Sequence, residues 1–277
     1  MKILYVTDLH GSEWKYDRIL EIAKSISADI VINGGDMFPL RGNLLHQDEF
    51  VINYLDEHFS NFNTERIYYL TMLGNDDLQK FDDFFQTICN KYEYVLNINF
   101  QRIEINDYEF IGMNLVPDLP FALKDRARKD NNNFIFPKQF GKPVLSTPNG
   151  WKKINDWFSY VDTLPTIEEE INKLVRPSNI EKAIYVIHTP PSDVTLDVCQ
   201  DGRKVGSRAI YDFLKKTQPL LSFHGHIHES PEILGKWSNK IGRTICIQPG
   251  QSHYHQKYLV YVVIDLETMI LDRKIVI

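Results

Sequence analysis

The stretch Lys2-Ile3-Leu4-Tyr5-Val6-Thr7-Asp8-Leu9-His10 decides the reading of this chain: a short apolar run stops on a carboxylate and, two residues later, on an imidazole. The run over residues 2–7 reads as a buried strand. The same arrangement recurs along the chain. A short run at 29–33 leads to Gly34-Gly35-Asp36, and a run at 66–73, rich in β-formers at Ile67, Tyr68 and Tyr69, leads to Gly74-Asn75-Asp76. Far downstream, an apolar run at 183–187 ends in His188, and one at 220–223 leads into Gly225-His226-Ile227-His228. Between the first three strands lie helical patterns. Ile19, Ile22, Ala23 and Ile26 carry the first at 14–26, with others at 47–62 and 78–89. This βαβαβα alternation implies parallel strands joined by right-handed crossovers.

In open α/β sheets, ligands collect at the carboxyl ends of the strands, and each of these polar residues stands just there. Residues i and i+2 of an extended segment project to one side, so Asp8 and His10 are expected to reach one ion together. The His226/His228 pair is expected to converge on the same cluster. Neutral imidazole, carboxylate and amide oxygen together suit Mn, Fe or Zn rather than Mg or Ca.

The set as a whole resembles the calcineurin-like metallophosphoesterase superfamily, whose pattern is D-x-H, G-D, G-N-H-[DE], a lone His, then G-H-x-H. The likeness spans about residues 2–250. It implies an α/β fold, a four-layer αββα sandwich of two mixed β-sheets flanked by helices, as one domain over 1–277. It also implies two divalent metal ions, with Mn favoured over Fe or Zn. Asp8, His10 and His228 would bind the first ion. Asn75, His188 and His226 would bind the second, and Asp36 would bridge both. Two dications against Asp8 and Asp36 leave a positive surplus that draws a phosphate oxyanion. The implied activity is a dinuclear metal-dependent phosphoesterase, hydrolysing phosphodiesters by attack of a metal-bridging hydroxide, with Asn75 and His188 acting in catalysis as well as ligation. A phosphomonoesterase, or a weakly catalytic metal-binding scaffold, is the alternative.

One position departs from the pattern. The family's His in G-N-H is Asp76 here, within Gly74-Asn75-Asp76-Asp77. An ionised Asp76 repels phosphate, and it serves as an acid only if burial raises its pKa. Three outcomes stay open: Asp76 replaces that His as acid or water-orienter, another residue such as His46, His224 or His253 fills the role, or hydrolysis is slow and confined to good leaving groups. A diester carries less charge than a monoester, which favours diesters beside Asp76. A second resemblance, to a branch of small soluble phosphoesterases, rests on His188-Thr189-Pro190-Pro191, Gly206-Ser207, Gly225-His226-Ile227-His228-Glu229 and Gln248-Pro249-Gly250. There the Gly-Ser step opens a helix whose N-terminus suits phosphate, flanked here by Arg203, Lys204 and Arg208. His46, Arg203, Ser207 and His224 are therefore the candidate substrate contacts, a core position being the ordinary reading of His224. His58 reads as an exposed helical residue, and His253 and His255 as surface.

Between residues 117 and 165 the pattern is neither strand nor regular helix for most of its length. Six prolines punctuate it, and aromatics such as Phe121, Phe140, Trp151 and Trp157 argue for packing rather than disorder. It reads as an inserted, lid-like excursion. Its eight Lys/Arg against five Asp could hold a nucleic-acid strand, but the net charge of -6 for the chain counts against that partner. A small phosphorylated substrate is expected, nucleotides included. Thr166-Ile167-Glu168-Glu169 fits a capping box opening a helix to about residue 175, and 207–216 reads as another helix. Residues 100–105 and 108–113 read as a hairpin; 232–234, 243–248, 258–264 and 269–277 read as strands. No apolar run approaches a membrane span, and the N-terminal run is too short for a signal-peptide core. Cys89, Cys199 and Cys246 are far apart, which with the rest points to reduced thiols in a cytoplasmic protein.

Overall fold

The computed structural model describes residues 1–253 and 256–277. The first half winds as β1 (Lys2–Val6), α1 (Glu13–Ser25), β2 (Ile30–Asn33), α2 (Asp48–Phe50), α3 (Asp56–Glu65), β3 (Tyr68–Thr71), α4 (Asp82–Cys89) and β4 (Val95–Asn97). The hairpin β5 (Arg102–Ile105) and β6 (Tyr108–Met113) follows, then β7 (Val116–Pro117), β8 (Ala127–Arg128), β9 (Val144–Thr147), β10 (Gly150–Lys153) and α5 (Trp157–Val161). The last part holds α6 (Ile167–Lys173), β11 (Ala183–Ile187), α7 (Arg208–Thr217), β12 (Leu221–Phe223), α8 (Ser230–Leu234), β13 (Ser238–Ile241), β14 (Thr244–Ile247), β15 (Leu259–Asp265) and β16 (Ile270–Val276).

One six-stranded sheet runs β16-β15-β1-β2-β3-β4, and the other β13-β14-β12-β11-β6-β5. In the first, β1 to β4 are parallel out to the edge and the antiparallel-paired β15 and β16 lie on one side; in the second, four central parallel strands are flanked by antiparallel β13 and β5. Both faces of β1 are covered, and its alternation shows how. Ile3 and Tyr5 pack with Phe110, Ile184 and Phe223 between the sheets, while Leu4 and Val6 pack with Tyr16 and Ile19 of α1. Tyr5 stacks on Phe223 with ring centroids 4.6 Å apart. On the far face, Tyr185 and Ile187 of β11 pack with Ile171 of α6 and Phe213 of α7. The result is a four-layer αββα sandwich of two mixed sheets flanked by helices. Among the described residues no helix is long and apolar enough to cross a membrane.

Local readings differ in places. Residues 232–234 are helical rather than extended: they belong to α8, which has Pro231 in its first turn and Gly235 at φ 65° closing it. The strand lies just beyond, as β13, paired back onto β14 across Gly242. The helix expected at 47–62 reaches Glu65 but passes through a π-helical turn at Val51–Leu55. The excursion contains a β-hairpin, β9–β10, and a short helix whose N-cap is Asp156. The capping box at Thr166 forms as read. His255 lies outside the described residues.

His58 is buried, not exposed. Tyr54, His58 and Phe62 are spaced four apart on one helical face, and His58 meets Tyr16 and Phe62 at 5.0 Å and Tyr69 at 5.6 Å. Burial pushes its pKa down to about 3. Below about pH 6.5 the unfolded chain takes up a proton there that the native state refuses. Native stability from this group is therefore full above about 6.5 and falls by roughly 1.4 kcal/mol per pH unit toward 3. His58→Phe removes that dependence. Urea titrations at pH 7.0 and 4.5 are expected to show the variant losing about 2.5 kcal/mol less than the parent chain; equal losses would contradict it.

Candidate metal centre

Five strand ends deliver the polar residues to one place. Asp8 and His10 follow β1, Asp36 follows β2, Asn75 and Asp76 follow β3, His188 follows β11, and His226 and His228 follow β12. The loops are welded to each other by main-chain bonds: Asp8 N–H to Gly35 O at 2.9 Å, His10 N–H to Asp36 O at 3.0 Å, and Gly225 N–H to His188 O at 2.8 Å. Asp8, His10, Asp36 and His226 all adopt left-handed backbone, at φ 57°, 47°, 53° and 69°. The expectation that Asp8 and His10 share an extended segment is thus corrected: each stands in a tight turn that aims it inward. A non-glycine residue pays roughly 1 kcal/mol for this conformation, and the surrounding bonds hold it there. A Cβ on Gly74 would collide with the Asp36 carboxylate, and one on Gly225 with Thr7 and Asp8, so both motifs need glycine for close approach.

The donors fall into two groups. Asp8, His10, Asp36 and His228 place one ligand atom each within 4.8 Å of one another, and so do Asp36, His188 and His226. Asp36 belongs to both. His10 Nε2 lies 3.1 Å from His228 Nε2, and His188 Nε2 lies 3.2 Å from Asp36 Oδ2 and 3.0 Å from the amide oxygen of Asn75. His188 Nδ1 faces the carbonyl of Gly34 at 2.9 Å, which leaves Nε2 to the cluster. The Asp8 carboxylate accepts the His226 N–H at 3.0 Å, and Asp36 Oδ1 accepts the Asp76 N–H at 2.8 Å.

Charge follows position. Burial opposes ionisation of Asp36, but His188 beside it holds the carboxyl far below its ordinary range. Burial likewise opposes a charge on His188, yet Asp36 raises it to about 9. Burial pushes His10 down to about 4 and His226 down to about 3, leaving both imidazoles neutral and ready to donate lone pairs. Asp76 lines the cleft; burial and then the Asp36 charge push it up to about 8. Its carboxylate accepts from Asn75 Nδ2 at 3.0 Å. Two neutral imidazoles, a shared carboxylate and an amide oxygen form a donor set that fits a pair of divalent cations.

The remaining candidates lie elsewhere. His46 is exposed and 3.0 Å from Glu49. His224 is buried, its Nδ1 facing the carbonyls of Ile187 and Thr189 at 2.9 Å. His253 sits 3.9 Å from Glu232 and against Tyr258. None of the three lines the cleft. Ser207 is buried and caps α7, donating its hydroxyl to Asp130 and accepting the Ile210 N–H. Asp130 also accepts the N–H groups of Arg208 and Ala209 at 2.9 and 3.2 Å. The helix N-terminus expected for phosphate is filled by this carboxylate, which satisfies the same donors and dipole. Arg208 pairs outward with Asp193 and Asp212. Arg203 alone of these candidates reaches the cleft, paired with Asp201.

Two supporting residues, one in a motif slot with no role assigned and one outside every motif, went unread. Asp77, fully buried, accepts the N–H groups of Gly74, Met37 and Phe38 at 2.8, 2.9 and 2.7 Å and so ties the loop after β3 to the loop after β2. It occupies the acidic place of the G-N-H-[DE] pattern, which by itself assigns it no role. Arg126, from the excursion, donates to Gly74 O at 2.7 Å and grips both oxygens of Asp82. Asp125 accepts from Gln79 N–H and Ser146 N–H nearby. The excursion is therefore stitched to the site at 124–130.

A two-sheet sandwich with aspartate, asparagine and histidine converging on its strand ends defines a metal-binding phosphoesterase architecture. The chain belongs to the calcineurin-like phosphoesterase family, whose model matches residues 1–230. Members of this family use divalent metals. Among solved structures, one that is 16% identical covers 99% of this chain and 98% of its own, with a TM-score of 0.62. A crystal structure from Thermus thermophilus is 12% identical over 99% of this chain and 97% of its own, with a TM-score of 0.57. A dimetal phosphatase from Danio rerio is 10% identical over 95% and 91%, with a TM-score of 0.50. At these identities the likeness is one of fold. No curated protein matches the chain.

Proposed function

We propose that this protein is a dinuclear phosphodiesterase, with a single domain over 1–277 whose 117–165 excursion walls the cleft. The reading rests on one observation: the Asp36 carboxylate is common to both donor groups. Asp8, His10 and His228 would hold one cation, and Asn75, His188 and His226 the other, with Asp36 between. When bound, the pair supplies Lewis acidity that polarises the phosphoryl group and brings the pKa of water toward neutrality. The chain's own part is orientation. Gly34 fixes the His188 tautomer, the His226 N–H steadies Asp8, and the Asp76 N–H steadies Asp36. Asp76, held by Asn75 at the cleft face, stands where it can orient the leaving oxygen or pass it a proton. With its pKa pushed up to about 8 the carboxyl holds its proton near neutrality, and its charge favours a diester over a monoester dianion only where it ionises, above that pH.

The test is hydrolysis of bis-p-nitrophenyl phosphate and p-nitrophenyl phosphate with Mn, Fe, Co, Ni or Zn. The diester is expected to be the better substrate, with Mn the most effective metal. Asp76→Asn is expected to lower kcat about 100-fold, the usual scale for a lost proton-transfer group, and Asp76→His to restore part of it. Unchanged turnover in both variants would remove Asp76 from the mechanism. No turnover of either ester despite two bound ions would favour a metal-binding scaffold.

A further inference from the structure

The cleft extends well beyond the donor groups, to about 760 Å³, the size of a pocket for a small organic ligand. One wall comes from the excursion: Leu119, Pro120, Phe121 and Leu123. Phe121 is 61% exposed and meets Phe140 at 6.5 Å, so an aromatic face is presented to the cleft with nothing covering most of it. Gln200, Glu229 and the paired Asp201 and Arg203 supply polar lining elsewhere in the cleft. Cations tell the rest. Arg126 and Arg203 are the arginines of the lining, and both are engaged. Arg126 is buried against Asp82 and the Gly74 carbonyl, and Arg203 Nε lies 2.6 Å from Asp201. No lysine lines the cleft among the described residues.

A second phosphate on the substrate would give up its water beside the Glu229 carboxylate, where the exposed cation, Arg203, already has its charge balanced by Asp201. An apolar ring laid on Phe121 would instead remove exposed hydrocarbon from water and gain an aromatic contact. We propose that the substrate carries a single phosphate and an apolar, ring-bearing group that packs on Phe121, polyphosphates and nucleic acid being excluded. This rests on the phosphoesterase reading above and narrows it.

The test uses the full chain with Mn and whichever of the two chromogenic esters it turns over. Phenylphosphonate, methylphosphonate and 4-carboxyphenylphosphonate are compared as competitive inhibitors, since they share the phosphonate and differ only in the attached group. Phenylphosphonate is expected to bind about tenfold more tightly than methylphosphonate, the scale of one aromatic contact. The added carboxylate is expected to abolish that advantage. Phe121→Ala should bring the phenyl-to-methyl ratio to within about twofold, and Phe121→Trp should preserve it. Phe121 is a surface residue, so both variants are expected to fold, and circular dichroism checks this. A phenyl-to-methyl ratio near one in the parent chain, or a ratio untouched by Phe121→Ala, would overturn the proposal. Failure to turn over either ester with any metal would instead strike the phosphoesterase reading, which separates the two.

Discussion

Asp36→Asn is expected to lower the metal content of the purified chain from two ions to one or fewer, and kcat/KM for bis-p-nitrophenyl phosphate by at least about 10³-fold. The reason is topological. Every other donor belongs to one group, whereas Asp36 belongs to both. An asparagine keeps an oxygen for the Asp76 N–H, now at 2.8 Å from Asp36 Oδ1, so the backbone has its acceptor. What is lost is the charge that balances the cations and the second oxygen, 3.2 Å from His188 Nε2. A loss of about 4 kcal/mol of transition-state stabilisation corresponds to that 10³. Elemental analysis and steady-state kinetics on the same preparation check it. Two ions retained, with activity within tenfold of the parent, would show that Asp36 is not shared.

The second large effect falls on stability. Asp77→Ala removes one carboxylate and strands three buried N–H groups, those of Gly74, Met37 and Phe38. Each stranded donor costs about 1–3 kcal/mol. Against this, burial and then the Asp36 charge push the Asp77 carboxyl up to about 7, so removing the charge returns part of the loss. The net expectation is a destabilisation of about 3 kcal/mol, or on the order of 10 °C in Tm. Asp77→Asn is not a benign isostere. Its oxygen can serve one side of the site, but its NH₂ then faces an N–H donor on the other. It is expected to fall between Ala and the parent chain, with weakened metal affinity because the loops after β2 and β3 separate. Urea denaturation of the metal-free proteins is the measurement. A change under about 1 kcal/mol for Asp77→Ala would mean that water replaces the carboxylate easily.

These two residues differ in how they could be read. Asp36 follows an apolar run and two glycines, and its neighbours in other motifs point to the same place, so its role was open to inference before any coordinates. Asp77 fills the acidic place of its motif, but that place announces no partner. Its three donors come from two loops some forty residues apart, and their convergence exists only after β2 and β3 pair. Ser207 shows the reverse failure. A serine opening a helix reads as a phosphate contact, and local chemistry alone has no way of announcing that Asp130, seventy-seven residues earlier, takes those donors. His58 was open to a better reading, because its spacing with Tyr54 and Phe62 already placed it on the apolar face.

Alternation of apolar runs with helical periods, and polar residues set just past each run, are properties of the chain itself. They dictate two covered sheets and a cluster at the strand ends, since no other packing hides those runs on both faces. Left-handed turns at Asp8, His10, Asp36 and His226, the clamp of Arg126 on Gly74, and the Phe121 wall are decided in three dimensions. Strain at a turn persists only where distant loops brace it, and a cleft takes its character from whichever surfaces the folded sheets bring face to face.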